Sequence, residues 1–186
     1  MYGLSAYRTA PVERLPTQAR ETSKKKVYPD IFAMPGLNAV SERFKTLVES
    51  FEPGVHQFFP LTLYRKDGEL VEDRYYIFNC PISFGCVLTN RSEVIWVEGT
   101  ELYPPRPDLS PARKTVFSKP AIDGRHLWGE SFRMTGLFIS DELHKAMKRE
   151  KIKYFTAEYC EELDEPWTPE DNIQPILDWE KAHSGN

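Results

Sequence analysis

The stretch from residue 57 to 80 constrains the fold most. QFFPLTLYR (57–65) is aromatic and β-branched enough for a strand, and DRYYIFNC (73–80) reads as its return. Lys66-Asp67-Gly68-Glu69 lies between them, with Asp67-Gly68 as the pair that tolerates positive φ in a tight turn. Successive side chains of a strand point to opposite faces. Tyr75 and Ile77 therefore make one face of the return strand, and Tyr76 and Phe78 the other. Both faces are apolar, which predicts an inner strand covered on both sides. Pro60 lacks an N–H, so it belongs at an edge, a start or a bulge.

A sheet with two covered faces needs covering elements. Phe44, Leu47, Val48 and Phe51 recur at i, i+3, i+4 and i+7, which is one apolar stripe of a helix. Ser41 or Asn38 caps it, and Pro53-Gly54 ends it. A second helix follows Ser140, with Asp141 and Glu142 in its first turn and Lys148, Arg149 and Lys151 towards its end. That charge order suits the helix dipole, and Leu143, Ala146 and Met147 form the buried stripe. Further strands are expected at 94–98, 115–118 and 154–157, and a short pair around Gly129 and Gly136 that uses Leu127, Trp128, Phe132 and Met134. Four prolines between 104 and 111 predict a surface loop. The expected fold is α+β: a curved, mostly antiparallel sheet with two main helices packed on it. Residues 1–36 read as an irregular N-terminal arm, 37–165 as a single domain, and 166–186 as a C-terminal helical tail begun by Thr168-Pro169.

Composition narrows the function. The 186 residues carry 24 lysines and arginines against 28 acids, a net charge of -4, so a general nucleic-acid binder is not expected. No apolar run is long enough to span a membrane, and MYGLSAYRTAPVERLP lacks the apolar core of a secretion signal. Three cysteines, Cys80, Cys86 and Cys160, make no disulfide framework; free thiols and a cytoplasmic setting are expected. The spacing of Cys80 and Cys86 is wrong for a zinc knuckle, and His56, His126, His144 and His183 show no metal-binding spacing. No metal or cofactor is expected. No phosphate loop, dinucleotide fingerprint or nucleophile elbow is present. Cys80, His126 and Asp123 would make a nucleophile–base set only if the fold brought them together. The Lys24–Lys26 run reads as solvated charge.

Charge is uneven along the chain. Residues 141–186 hold 12 acids against 6 lysines and arginines. Glu158, Glu161, Glu162, Asp164 and Glu165 cluster just before Trp167. A solvated tail is the simplest meaning; the functional one is a face that steers a basic partner, with Trp167 as an anchor.

Several short motifs, in order, resemble one family. They are Val40-Ser41-Glu42-Arg43-Phe44, the run from Glu52-Pro53-Gly54 to Pro60, Asp67-Gly68, Tyr75–Asn79, Asn90-Arg91-Ser92, Leu127-Trp128 and Gly136–Leu143. Together they resemble bacterial immunity family eleven, first described as a domain of unknown function, over roughly residues 40–160. The arm, the acidic tail and the 104–111 loop lie outside the resembling pattern. The resemblance implies an antitoxin encoded beside a polymorphic or secretion-delivered toxin, which it binds and blocks by occlusion without catalysis. Its partner would be the cognate protein toxin, with no nucleic acid and no membrane; the resemblance does not fix the oligomeric state. The alternatives are a small cytoplasmic enzyme using Cys80 or His126, or a scaffold or adaptor of a secretion locus.

Overall fold

The computed structural model describes residues 8–22, 27–108, 114–131, 136–153 and 155–184. The first elements are β1 (Gln18–Arg20), β2 (Ile31–Met34), β3 (Leu37–Ser41), α1 (Glu42–Phe51), β4 (Gln57–Tyr64) and β5 (Tyr75–Asn79). Then come β6 (Ser83–Phe84), β7 (Ile95–Val97), β8 (Arg106–Asp108), β9 (Val116–Ser118), α2 (Lys119–Ile122) and β10 (Leu127–Glu130). The chain continues through β11 (Phe138–Ile139), α3 (Asp141–Arg149), β12 (Glu161–Leu163), α4 (Pro169–Asn172) and α5 (Gln174–His183). Contacts group the chain into two compact units. One comprises Met1–Ser83, His126–Gly129 and Leu137–Thr156; the other Phe84–Arg125, Glu130–Gly136 and Ala157–Asn186.

The first unit is built on a five-stranded sheet in the order β1-β4-β5-β3-β2. All its pairings are antiparallel except β1 with β4. The segment expected to be an irregular arm thus supplies both edge strands. Gly68, at φ +95°, closes the β4–β5 connection, where the Arg65 N–H donates to the Glu69 carbonyl (2.7 Å). Pro60 lies within β4, opposite Tyr76. The Thr62 N–H points to β1, where it meets the Thr17 carbonyl (2.9 Å). Pro60, two residues earlier, faces the same way, but β1 is paired only with Thr62–Tyr64. Its missing N–H therefore falls on an open edge, where no ladder bond is lost.

The inner strand β5 is covered on both faces. Tyr75 and Ile77 pack with Ala39, Leu61, Leu63 and Val71, fringed by Tyr28 and Phe32. Phe78 packs on the other side with Val40, Phe44, Leu47 and Val48. Helix α1 begins where the Ser41 hydroxyl accepts the Phe44 N–H (3.3 Å). It lies on β3 and β5. Helix α3 starts the same way, with Ser140 Oγ accepting the Leu143 N–H (3.1 Å). It packs against α1 rather than taking its own place on the sheet, and Leu143, Ala146 and Met147 complete the α1 core. The expectation of two sheet-packed helices is corrected to one on the sheet and one behind it. Strands β10 and β11 pair antiparallel, Leu127 opposite Ile139 and Trp128 opposite Phe138. Phe132 and Met134, expected in that pair, lie outside the described residues.

The second unit has two small ladders. β7 pairs antiparallel with β8, so the proline-rich loop contains a strand: Pro107 sits opposite Trp96. A two-stranded ladder leaves each strand an open edge, which tolerates that proline. β9 pairs in parallel with β12, Val116 opposite Glu161 and Ser118 opposite Leu163. The strand expected at 154–157 is absent over 155–157, and Tyr154 lies outside the described residues. Thr168 caps α4 through the Asp171 N–H (3.3 Å), with Pro169 in the first turn. Buried Asn172 then clamps α4 in place: its Oδ1 accepts the Thr89 N–H (2.8 Å), and its backbone carbonyl accepts the Thr89 hydroxyl (2.9 Å).

Candidate functional site

The acidic segment 158–165 belongs to the second unit, and the strand period sorts it. Along β12, Glu161 and Leu163 are half-buried while Glu162 is exposed. Glu161 turns to Lys114 (2.8 Å). Glu165 pairs with Arg91 (3.0 Å), and its backbone carbonyl accepts the Ser118 hydroxyl (2.5 Å). Two of the five acids are thus tied to the unit's own cations. Such exposed pairs contribute about 0–1 kcal/mol each, and they take the charge inward. Glu158, Glu162 and Asp164 face solvent. The composition of the segment does not reveal this division, because Lys114 and Arg91 are distant in sequence.

Trp167, whose place after the acids suggests an anchor, is half-buried and bonded within its own unit. Its indole N–H donates to the Val87 carbonyl (3.1 Å). Its ring covers Gly85 so closely that a Cβ there would lie 2.6 Å from Cζ2. The side chain fastens its own segment to the strand-rich part of the unit. Beyond Trp167, α5 is held by the Trp179 indole, whose N–H donates to the Thr100 carbonyl (2.8 Å).

The whole second unit is acidic, with 15 aspartates and glutamates against 8 lysines and arginines; the first has 13 against 16. The acidity of residues 141–186 is therefore the visible part of a larger asymmetry. The segments from 84 to 125 and from 157 to 186 are folded into one body, and it carries the excess.

The other candidate residues have structural occupations. Cys80 is buried beside the Ile82 carbonyl (3.5 Å), and Cys86 is buried too. His126 directs Nδ1 to the Ser140 hydroxyl (2.8 Å) and sets its ring edgewise to Phe51. Buried His56 bonds through Nε2 to Glu52 (2.7 Å), and the second oxygen of Glu52 accepts the His126 N–H (3.0 Å). That carboxylate joins the end of α1 to the starts of β4 and β10. Sequence spacing shows the His56–Glu52 pair only as i, i+4; the third partner is invisible until the chain is folded.

A cavity of about 510 Å³ in the first unit is lined by Tyr28, Asp30, Arg43, Arg74, Tyr75 and Lys153, among others. Its central acid is engaged: Asp30 accepts the Ser41 hydroxyl (2.7 Å) and the Lys153 N–H (3.3 Å), and Arg43 lies 4.0 Å away. Burial, helped by the charges of Asp73 and Asp30, pushes the Tyr75 hydroxyl up to about 12. Among the described residues no group of three or more histidines, cysteines and acids is arranged to hold a metal. None of the described helices is long and apolar enough to cross a membrane.

Comparison with curated proteins finds no match. The family model described as Immunity protein family (Imm11) matches residues 8–161, so the likeness takes in most of the N-terminal segment as well as 40–160. It stops at Glu161, which leaves Glu162, Asp164, Trp167, α4 and α5 beyond it. With the match running from β1 to the first residue of β12, the chain belongs to the Imm11 family of immunity proteins.

Proposed function

We propose that this chain holds its cognate toxin inactive in the cytoplasm by binding it and covering its working surface, with Glu158, Glu162 and Asp164 on or beside the interface. Family membership makes the chain an immunity protein, an antitoxin rather than an enzyme. The observation that carries the binding reading is the charge of the second unit, 15 acids against 8 cations, with three acids of the 158–165 segment turned outward. An inhibitory interface covers on the order of 1,600 Å². Acids at its rim attract a basic partner over roughly a Debye length, about 10 Å at 0.1 M salt, and raise the association rate more than the affinity.

The test uses the product of the neighbouring gene as an immobilised, inactivated toxin. Changing Glu162 and Asp164 together to lysine is expected to slow association about tenfold at low salt, with the gap closing near about 0.5 M as screening takes over. The pair suits the test because neither acid is paired with a cation among the described residues, whereas Glu161→Lys would also break the bridge to Lys114. An unchanged association rate at low salt moves the interface away from β12. Failure of the unaltered chain to bind at all would end the occlusion reading.

A further inference from the structure

We infer that the β7–β8 hairpin is the apolar anchor of the toxin-binding surface, its tip residues Leu102 and Tyr103 and its β7 residues Ile95 and Val97 seating on an apolar patch within a basic face of the partner. This rests on the binding reading above and names its central contact. Nine large apolar side chains are exposed among the described residues, and four of them fall between 95 and 103: Ile95 (50%), Val97 (40%), Leu102 (80%) and Tyr103 (70%). Scattered exposed apolar residues need no explanation, but a concentration on one small element does. The β7 strand makes the choice plain. Ile95 and Val97 share its outer face, while Trp96 between them is half-buried opposite Pro107.

The tip is built to hold those side chains out. The Thr100 hydroxyl accepts the N–H of Leu102 (3.3 Å) and of Tyr103 (3.1 Å), and the Thr100 N–H returns to the Tyr103 carbonyl (2.8 Å). Gly99 lets the returning strand come close: a Cβ there would sit 2.8 Å from Pro105 and from the Tyr103 carbonyl. The Thr100 carbonyl takes the Trp179 indole N–H, and that indole stacks on His183 at 4.2 Å. A loop tied at each of these points has little freedom left to lose when a partner arrives. Pre-ordering of this kind is a main route to affinity, and tyrosine is a favoured anchor.

Charge identifies the partner's chemistry. Glu93, Glu98 and Glu101 are exposed around the apolar residues, and Arg106 is the one cation between 93 and 108. The hairpin base also adjoins the acidic strand. The Glu93 N–H donates to the Lys114 carbonyl (2.8 Å), and the Lys114 ammonium bridges to Glu161 (2.8 Å). The base of the hairpin is thus linked to the acidic strand, and the exposed acids Glu93, Glu98 and Glu101 around the apolar residues complement a basic face. A second copy of this chain docking through the same hairpin would bring like charge against like.

The experiment uses the full chain and the inactivated product of the neighbouring gene. Tyr103→Ala and Leu102→Asp are each expected to weaken the dissociation constant by about tenfold or more, mostly through faster release. Both side chains are largely in solvent, so thermal unfolding is expected to stay where it is; Ile95→Ser on β7 replaces any tip variant that fails to fold. Retention of full affinity by these variants overturns the anchor while leaving the immunity reading intact. If the unaltered chain does not bind, the occlusion reading falls and the anchor falls with it. Sedimentation provides the remaining check: a dimer of the unaltered chain that Leu102→Asp dissolves would assign the hairpin to self-association instead.

Discussion

Replacing Gly85 with alanine tests whether Trp167 is an internal fastener. The new methyl would lie 2.6 Å from Trp167 Cζ2 and 2.9 Å from two further ring carbons. Carbon atoms in favourable contact sit at about 3.5–4.0 Å, so the indole must retreat by roughly 1 Å. The indole is not loose, because its N–H is spent on the Val87 carbonyl at 3.1 Å. Overpacking costs about 1–3 kcal/mol, and loss of the hydrogen bond about 1 more. Alanine also restricts the unfolded chain, which returns about 0.4–1 kcal/mol. The net loss is about 1–3 kcal/mol, read by urea unfolding followed by far-ultraviolet circular dichroism. In the double variant with Trp167→Phe, which removes the offending ring edge and the N–H together, the two costs are expected to fall short of their sum by about 1 kcal/mol. A loss below about 0.5 kcal/mol for Gly85→Ala, or strict additivity, would mean that Trp167 does not rest on Gly85, and would return it to the list of partner anchors.

Leu47→Ala, in the core between α1 and α3, is expected to cost about 2–5 kcal/mol in the same urea assay; a loss under about 0.5 would put Leu47 on the surface. The Tyr28 hydroxyl is pushed up to about 12 by burial and by its hydrogen bond to Glu21 (2.5 Å), and Tyr75 reaches about 12 as well. The unfolded chain releases these protons near pH 10, before the folded one does. Their contribution to stability is therefore complete below about pH 10 and is lost as the pH rises towards 12. Spectrophotometric titration of Tyr28→Phe and Tyr75→Phe is expected to remove late-ionising tyrosines from the set of nine; removal of early-ionising ones would contradict the assignment.

Elements announced by local signals were legible. Ser41 and Ser140 cap the two helices because a short hydroxyl next to an apolar stripe satisfies an orphan N–H wherever the helix docks. The 57–80 hairpin needed only its turn and the alternation of its strands. Elements defined by distant partners were not legible. β12 reads Glu-Glu-Leu, with no apolar pattern of its own; it is a strand because β9 lies beside it. β1 and β2 looked like an arm because three or four residues carry too little periodicity, and only pairing with β4 and β3 makes them strands. Phe59, Tyr76, Trp96, Phe138 and Phe155 are large and apolar yet half-buried, since residue type reports the preference for burial and not the depth reached. The acidic segment was visible, but its sorting into inward and outward members depends on Lys114 and Arg91. The apolar tip at Leu102 and Tyr103 lay hidden between prolines, and Thr100, Gly99 and Trp179 reveal its order only in three dimensions.

Inhibition by stoichiometric contact, as proposed for this Imm11 protein, has a simple signature when the purified chain is titrated into the active product of the neighbouring gene and that toxin's own activity is followed. Activity is expected to fall linearly and vanish near one equivalent, and the toxin to recover full activity once the complex is separated in denaturant and the toxin refolded alone. Activity that persists with the chain in large excess, or toxin that stays inactive after the chain is removed, would contradict inhibition by binding.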